Sequence, residues 1–149
     1  MASFAWRSFE GLGARDLHDV LKLRADVFVV EQACLFAEID GRDPDALHLL
    51  ARTAEGGPLA GTLRLFPPGG GDGAAVIGRV ATAPAARGTG FGRALMTEGI
   101  AEARRRYGPA PVAIGAQARL ERFYAGFGFV RGGEDYVEDG IAHCAMLLG

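Results

Sequence analysis

Cysteine is scarce. The two in the 149 residues, Cys34 and Cys144, lie far apart with no paired spacing, which excludes a disulfide scaffold and a thiolate metal cage. No metal is expected, and both read as reduced thiols, Cys144 as a buried position of an alternating strand. Positive charge is not in excess either: 16 Lys and Arg against 18 Asp and Glu leave a net charge of −2. A chain without a basic field does not suit nucleic acid or an anionic membrane surface. No apolar run approaches the roughly 18 residues of a membrane span. The start, Met1 to Arg7, lacks the basic-then-apolar order of a secretory signal, so a cytoplasmic location is expected. Internal repeats and low-complexity tracts are missing too. The length and the 49% hydrophobic content fit one core and one domain, residues 1–149.

What is present reads as alternating strands and helices. Phe4, Trp6 and Ser8 alternate with Ala5, Arg7 and Phe9, predicting a first strand ended by Gly11 and Gly13. Leu17, Val20, Leu21, Arg24, Val27 and Phe28 recur at helical spacing, predicting a helix over Asp16 to Val30. Glu31 to Ala46 is polar, carries five carboxylates and reads as a loop or short helical turn on the acceptor side. Strands are expected at Leu47 to Arg52 and Leu59 to Phe66, joined by a Gly-Gly-Pro turn, and at Ala75 to Thr82 after the glycine-rich turn Pro67 to Gly73. A helix from Phe91 to Tyr107 stops at Gly108-Pro109, and Val112-Ala113-Ile114 is a buried strand. A helix from Arg119 to Gly126 precedes strands at Phe129-Val130-Arg131 and Ile141 to Leu148. The order β-α-β-β-β-α-β-α-β-β is that of a mixed α/β sheet with helices on both faces.

The most informative stretch is Arg87-Gly88-Thr89-Gly90-Phe91-Gly92-Arg93, between a central strand and a helix. Three glycines at alternate positions let the backbone approach a ligand and turn its N–H groups inward. The helix start adds unpaired amides and a positive dipole end, and two arginines add full charge. A pyrophosphate fits this cradle. A Walker-type loop would need Lys then Ser or Thr after the last glycine, where Arg93-Ala94 stands. A dinucleotide fold would place its glycines after the first strand, with an acid about 20 residues on.

Arg-x-x-Gly-x-Gly after a strand and Pro84 resembles the coenzyme A signature of the GCN5-related N-acetyltransferase (GNAT) family. Gln117 to Phe129, reading Q-A-R-L-E-R-F-Y-A-G-F-G-F, resembles that family's C-terminal segment, with Tyr124, Gly128 and Phe129 matching, Gln117 in place of a frequent Asn and Leu120 in place of Ala. Further blocks, Leu23 to Gln32, Glu38 to Asp43, Ile77 to Val80, Gly115 to Ala118 and Glu138 to His143, look like the ElaA-type branch. The resemblance implies a GNAT-like fold and acetyl-CoA as co-substrate. It places the pantetheine arm along the backbone of Val80 and Thr82 and the diphosphate on Arg87, Gly88, Thr89, Gly90, Phe91, Gly92 and Arg93, with Gln117, Phe123 and Tyr124 beside the cofactor.

Direct acetyl transfer needs a free amine, an aligned thioester, stabilisation of charge on the carbonyl oxygen, and a proton for the departing thiolate. Tyr124 is the expected general acid, a phenol hydrogen-bonding the leaving sulfur. The glutamate that relatives place on the central strand has no counterpart in Ala75-Val76-Ile77-Gly78. Glu31 and His48 are therefore the expected bases, with Glu38, Asp40 and His143 as alternatives. Glu38 and Asp40 would attract a cationic amine. Arg79, a charge in an apolar strand, would bind an acceptor carboxylate or an internal acid such as Asp26, Glu38 or Asp40. The expected activity is acetyl transfer to a primary amine of a small metabolite or peptide in a ternary complex. The alternative is an acyl-CoA sensor without turnover, and an exposed sheet edge would allow a homodimer.

Overall fold

The computed structural model describes residues 2–149. Seven strands form one sheet: β1 (Ser3–Ser8), β2 (Leu47–Arg52), β3 (Gly61–Phe66), β4 (Ala75–Thr82), β5 (Val112–Gln117), β6 (Val130–Glu138) and β7 (Ile141–Leu148). Their order across the sheet is β1-β2-β3-β4-β5-β7-β6, and only β4 and β5 run parallel. The helices are α1 (Ala14–Ala25), α2 (Phe91–Tyr107) and α3 (Glu121–Ala125). Element order follows the hydrophobic periodicity, and β2, β4, α2 and β7 have the bounds read from sequence.

β3 is buried along its whole length, so both of its faces are covered. Leu63 and Leu65 join Leu95 and Met96 of α2, Ile77 of β4 and Val112 of β5 in the main core. Strand neighbours alternate faces, so Thr62 and Arg64 point the other way, where Arg64 shares Asp43 with Arg24 of α1. Leu23 and Val27 pack there against Ala81. The sheet is thus sandwiched between α2 and α1.

Three differences from the sequence reading shape the site. The first helix starts two residues earlier than its periodicity indicates and widens into a π-type turn over Asp26–Glu31, the kind of local irregularity that often accompanies functional sites. The 3-10 turn Ala118–Leu120 takes the first positions of the expected Arg119 to Gly126 helix. β6 runs seven residues past Arg131, because Gly132 to Tyr136, to which the sequence reading assigns no strand, is absorbed as a bulge in an edge strand with Gly133 at φ +82°. Asp139 and Gly140, both at positive φ, then close a two-residue hairpin into β7.

The opening in the sheet follows from β4. It pairs with β5 only through Ala75, Val76 and Ile77. On its other side Thr62 pairs with Ala81 and Arg64 with Gly78, so Leu63 alone faces both Arg79 and Val80. Arg79 takes φ +49°, a left-handed conformation uncommon outside glycine. This bulge bends β4 away from β5 beyond Ile77 and leaves a wedge between parallel strands.

Candidate active site

The wedge opens into a cleft of about 540 Å³. One wall carries Gly78, Arg79, Val80 and Thr82 of β4, and the other Ile114, Gly115 and Gln117 of β5 with Ile141 and His143 of β7. Phe28 and Glu31 reach it from the π turn, and Phe123 and Tyr124 from α3. A smaller hollow of about 260 Å³ adjoins it, lined by Thr82, Arg87, Gly88, Gly90, Gly92, Arg93 and Phe123.

That hollow is the glycine cradle. Gly88 and Gly90 hold φ of +77° and +83°, and a β-carbon at either would meet nothing within 4 Å, so their faces are open to a ligand. Gly90 caps α2, whose first turn carries no acid. The N–H groups of Phe91, Gly92 and Arg93 have no carbonyl to bond within the helix. Thr89 Oγ1 donates to the Ala86 carbonyl at 2.7 Å and fixes the loop. Open glycine faces, unpaired amides and Arg93 at a helix start fit a diphosphate. The Phe91 side chain does not face it: it is buried against Phe4, ring to ring at 6.2 Å, so only its backbone is available. Gly90→Val is expected to weaken coenzyme A binding by at least about tenfold, since a branched side chain at positive φ is strained by about 1–3 kcal/mol and fills the open face. Calorimetric titration measures this, with a thermal melt to show that the variant is folded.

Arg87 is already engaged. Its Nη2 donates to Glu31 at 2.7 Å, Nη1 donates to the other Glu31 oxygen, and Nε donates to the Thr82 carbonyl. Hydrogen bonding to Arg87 holds the Glu31 carboxyl below its usual range. Glu31 is therefore a poor proton acceptor, although it lines the cleft. Its place is to tie the π turn to the cradle.

Glu38 and Asp40 are not among the residues lining the cleft, which corrects their expected place beside the acceptor amine. They belong to an ion-pair cluster with Asp43, Arg24, Arg64 and Arg79. Arg24 donates to Glu38 at 2.7 Å and to Asp43 at 2.8 Å; Arg64 donates to Asp43 at 3.0 Å and to Asp40 at 2.6 Å. Arg79 Nε lies 3.2 Å from Glu38, and its Nη2 lies 3.6 Å from Asp40. The hydrogen bonds from Arg64 hold the Asp40 carboxyl well below the usual range. Of the two readings of Arg79, the internal pair is the one formed; Asp26 bonds Lys22 instead. His48 is corrected as well. It is buried away from the cleft, its Nε2 donates to the Asp43 carbonyl at 2.9 Å, and burial lowers its pKa.

Val80, Thr82, Gln117, Phe123 and Tyr124 do line the cleft. Tyr124 is 7% exposed, and burial pushes its phenol up to about 12, so it keeps its proton at neutral pH. Phe123 and Phe129 meet the Tyr124 ring edge to face. Gln117 Nε2 donates to Gln32 at 3.2 Å, bridging β5 to the acceptor-side loop.

Of the opposite wall, the sequence reading names Gln117 beside the cofactor and His143 as an alternative base. His143 pairs across the hairpin with Tyr136, and their rings stack at 5.8 Å. A β-carbon on Gly115 would lie 2.9 Å from the Tyr136 hydroxyl, so glycine is needed where that ring crosses β5. His143 Nδ1 lies 2.7 Å from the Ile141 carbonyl, which can only accept. Nδ1 therefore carries a proton, so the neutral ring has its lone pair on Nε2. Glu138 lies 4.0 Å from that Nε2. The sequence offered His143 as an alternative base without Tyr136 beside it, because the strand read at Phe129-Val130-Arg131 stops short of the bulge that brings that ring across. Among the described residues no group of three His, Cys, Asp or Glu could hold a metal, and no helix is long and apolar enough to cross a membrane.

A family model described as Acetyltransferase (GNAT) domain matches residues 17–148. An acyl-CoA N-acyltransferase from Pseudomonas aeruginosa superposes with a TM-score of 0.93 at 39% identity, over 100% of both chains. Escherichia coli ElaA superposes with a TM-score of 0.91 at 34% identity, also over 100% of both. A UPF0039 protein of Mycobacterium tuberculosis is 44% identical over 139 residues, 91% of this chain and 86% of the relative. The glycine cradle at a helix start, the wedge between β4 and β5 and these likenesses agree, and the chain belongs to the GNAT acetyltransferase family, in its ElaA-like branch.

Proposed function

We propose that this single domain transfers an acetyl group from acetyl-CoA to a primary amine of a small metabolite or peptide, by direct attack in a ternary complex. The observation that carries this is the wedge itself. A phosphate cradle closes one end, a protonated Tyr124 lines the cleft, and a histidine with a free Nε2 lone pair lines it too.

Gly88, Gly90 and the first-turn amides of α2 would bind the diphosphate, and the unpaired β4 backbone around Val80 and Thr82 would hold the pantetheine arm. Bound there, the coenzyme supplies an activated acetyl thioester. His143 Nε2 takes one proton from the acceptor ammonium, which frees the nitrogen lone pair to attack the carbonyl carbon. As the C–N bond forms and the C–S bond breaks with its electron pair going to sulfur, the Tyr124 hydroxyl gives its proton to that sulfur. The nitrogen's second proton returns to Tyr124 by way of solvent. The products are the amide and the free thiol, and His143 releases the first proton to water.

The test is titration with acetyl-CoA, against dephospho- and nucleotide triphosphate controls, followed by an amine screen read by free-thiol release. Selective coenzyme binding with amine-dependent thiol release supports the transferase. Binding without release for any amine leaves an acyl-CoA sensor, and no binding removes the reading. His143→Gln is expected to lower kcat at neutral pH by about 10²-fold. Part of the loss should return at high pH, where the amine is already free. A uniform loss across pH would show that His143 is not the base.

A further inference from the structure

The acceptor end of the cleft carries more cation than the fold uses. Arg24, Arg64 and Arg79 are matched by Glu38, Asp40 and Asp43. Arg42 is a fourth cation, on the same loop and lining the same cleft. Among the described residues no carboxylate lies within 4.0 Å of its guanidinium, which sits instead 4.3 Å over the Phe66 ring. A guanidinium on an aromatic face keeps its in-plane N–H donors free.

A second observation comes from beneath. Arg64 and Arg79 also line the cleft; the Arg64 Nε is buried without a hydrogen-bond partner, and the Arg79 Nε, ion-paired with Glu38 at 3.2 Å, makes no hydrogen bond either. Arg64 is only 5% exposed. A buried donor left unbonded costs about 1–3 kcal/mol, so the site gains from any anion that reaches it. Burial, with the neighbouring Arg64 charge, also lowers the Arg79 pKa, a sign of cations crowded together. The far wall has the opposite character: Glu138 and Asp139 line it beside His143.

Building on the transferase reading above, we infer that the acceptor is an amine that also carries a carboxylate, an amino acid or short peptide. Its carboxylate docks on Arg42 over Phe66, near the unbonded Nε–H of Arg64, and its amine faces His143. The planar, forked donors of arginine match a carboxylate's two oxygens. The polarity of the cleft then orients the acceptor, with its anion kept at the arginine end and its nucleophile on the wall that can deprotonate it.

The experiment compares matched amines with and without the carboxylate: α-, β- and ω-amino acids and dipeptides against the corresponding plain amines, in wild type and Arg42→Gln. The expected result is a preference of about tenfold or more in kcat/KM for the carboxylate member, carried by KM and collapsing in Arg42→Gln. Equal rates within each pair, or a preference that survives Arg42→Gln, overturn the inference and leave the transferase reading intact. A turnover-independent arm titrates the same N-acetylated pairs into the protein with coenzyme A. If no amine is acetylated but the carboxylate member binds through Arg42, the docking site stands and the transferase reading falls. If neither occurs, both fall.

Discussion

Tyr124→Phe is expected to lower kcat by about 10²–10⁴-fold while coenzyme A affinity stays essentially unchanged. The substitution removes one oxygen and leaves the ring where Phe123 and Phe129 hold it edge to face, so packing is conserved and only a proton donor is lost. Burial that pushes the phenol up to about 12 keeps the proton available throughout the working pH range. A neutral donor is what a departing thiolate requires, since its proton affinity rises as the C–S bond lengthens. Steady-state kinetics with saturating amine measures the effect, paired with calorimetry for coenzyme A. A kcat within threefold of wild type would remove Tyr124 from the proton path. A parallel loss of coenzyme affinity would make it a packing residue of the pantetheine channel.

The glycine cradle was legible because its determinants are contiguous in the chain. Arg87 to Arg93 contains glycines, arginines and a helix start within seven residues, and each acts through backbone that the local sequence itself shapes. The acceptor half draws on residues that only the fold brings together. Arg24 and Asp43 are 19 positions apart and meet because α1 crosses the back of β3. Tyr136 reaches His143 through a bulge in β6 beyond the Phe129-Val130-Arg131 strand read from the sequence. The acidic loop was legible as acidic, yet its charge says nothing of direction: Glu38 and Asp43 turn inward on buried arginines, and each is at most 5% exposed. His48 alternates correctly on its strand, but β2 lies two strands from the wedge and lends no residue to the cleft, a position in the sheet that the alternation does not record.

The Glu31–Arg87 pair links the two halves. Glu31 ends the π turn that follows α1, and Arg87 opens the cradle at the start of α2. Arg87 lines the hollow while bonded to Glu31. The pair is more than one-third exposed on both sides, so its own contribution to stability is small.

Asp43→Ala is expected to destabilise the fold by about 3–5 kcal/mol, the range for removing one partner of a buried ion pair. Arg24 is 1% exposed and Arg64 5% exposed, and both donate to the same Asp43 oxygen, at 2.8 and 3.0 Å. Without it, two guanidinium groups lose an acceptor in a place water barely reaches. Burial alone disfavours ionisation of Asp43, but the hydrogen bonds and charges of Arg24 and Arg64 outweigh it and hold the carboxyl below its usual range. Because the folded value lies below the unfolded one, near 3.9, the stabilisation is present above about pH 4 and is lost as pH falls through the folded value. Asp40, held low by Arg64, adds to the same acid limb. Urea melts at a series of pH values should therefore show wild type losing stability below about pH 4, and Asp43→Ala should show a shallower slope from a lower plateau. A loss under about 1 kcal/mol would place Asp43 among exposed pairs that contribute little. The cradle draws nothing from this cluster, so coenzyme A binding should survive wherever the variant remains folded, whereas Arg64, which lines the cleft, loses one of its two carboxylate partners. Acceptor KM is then the kinetic constant expected to move.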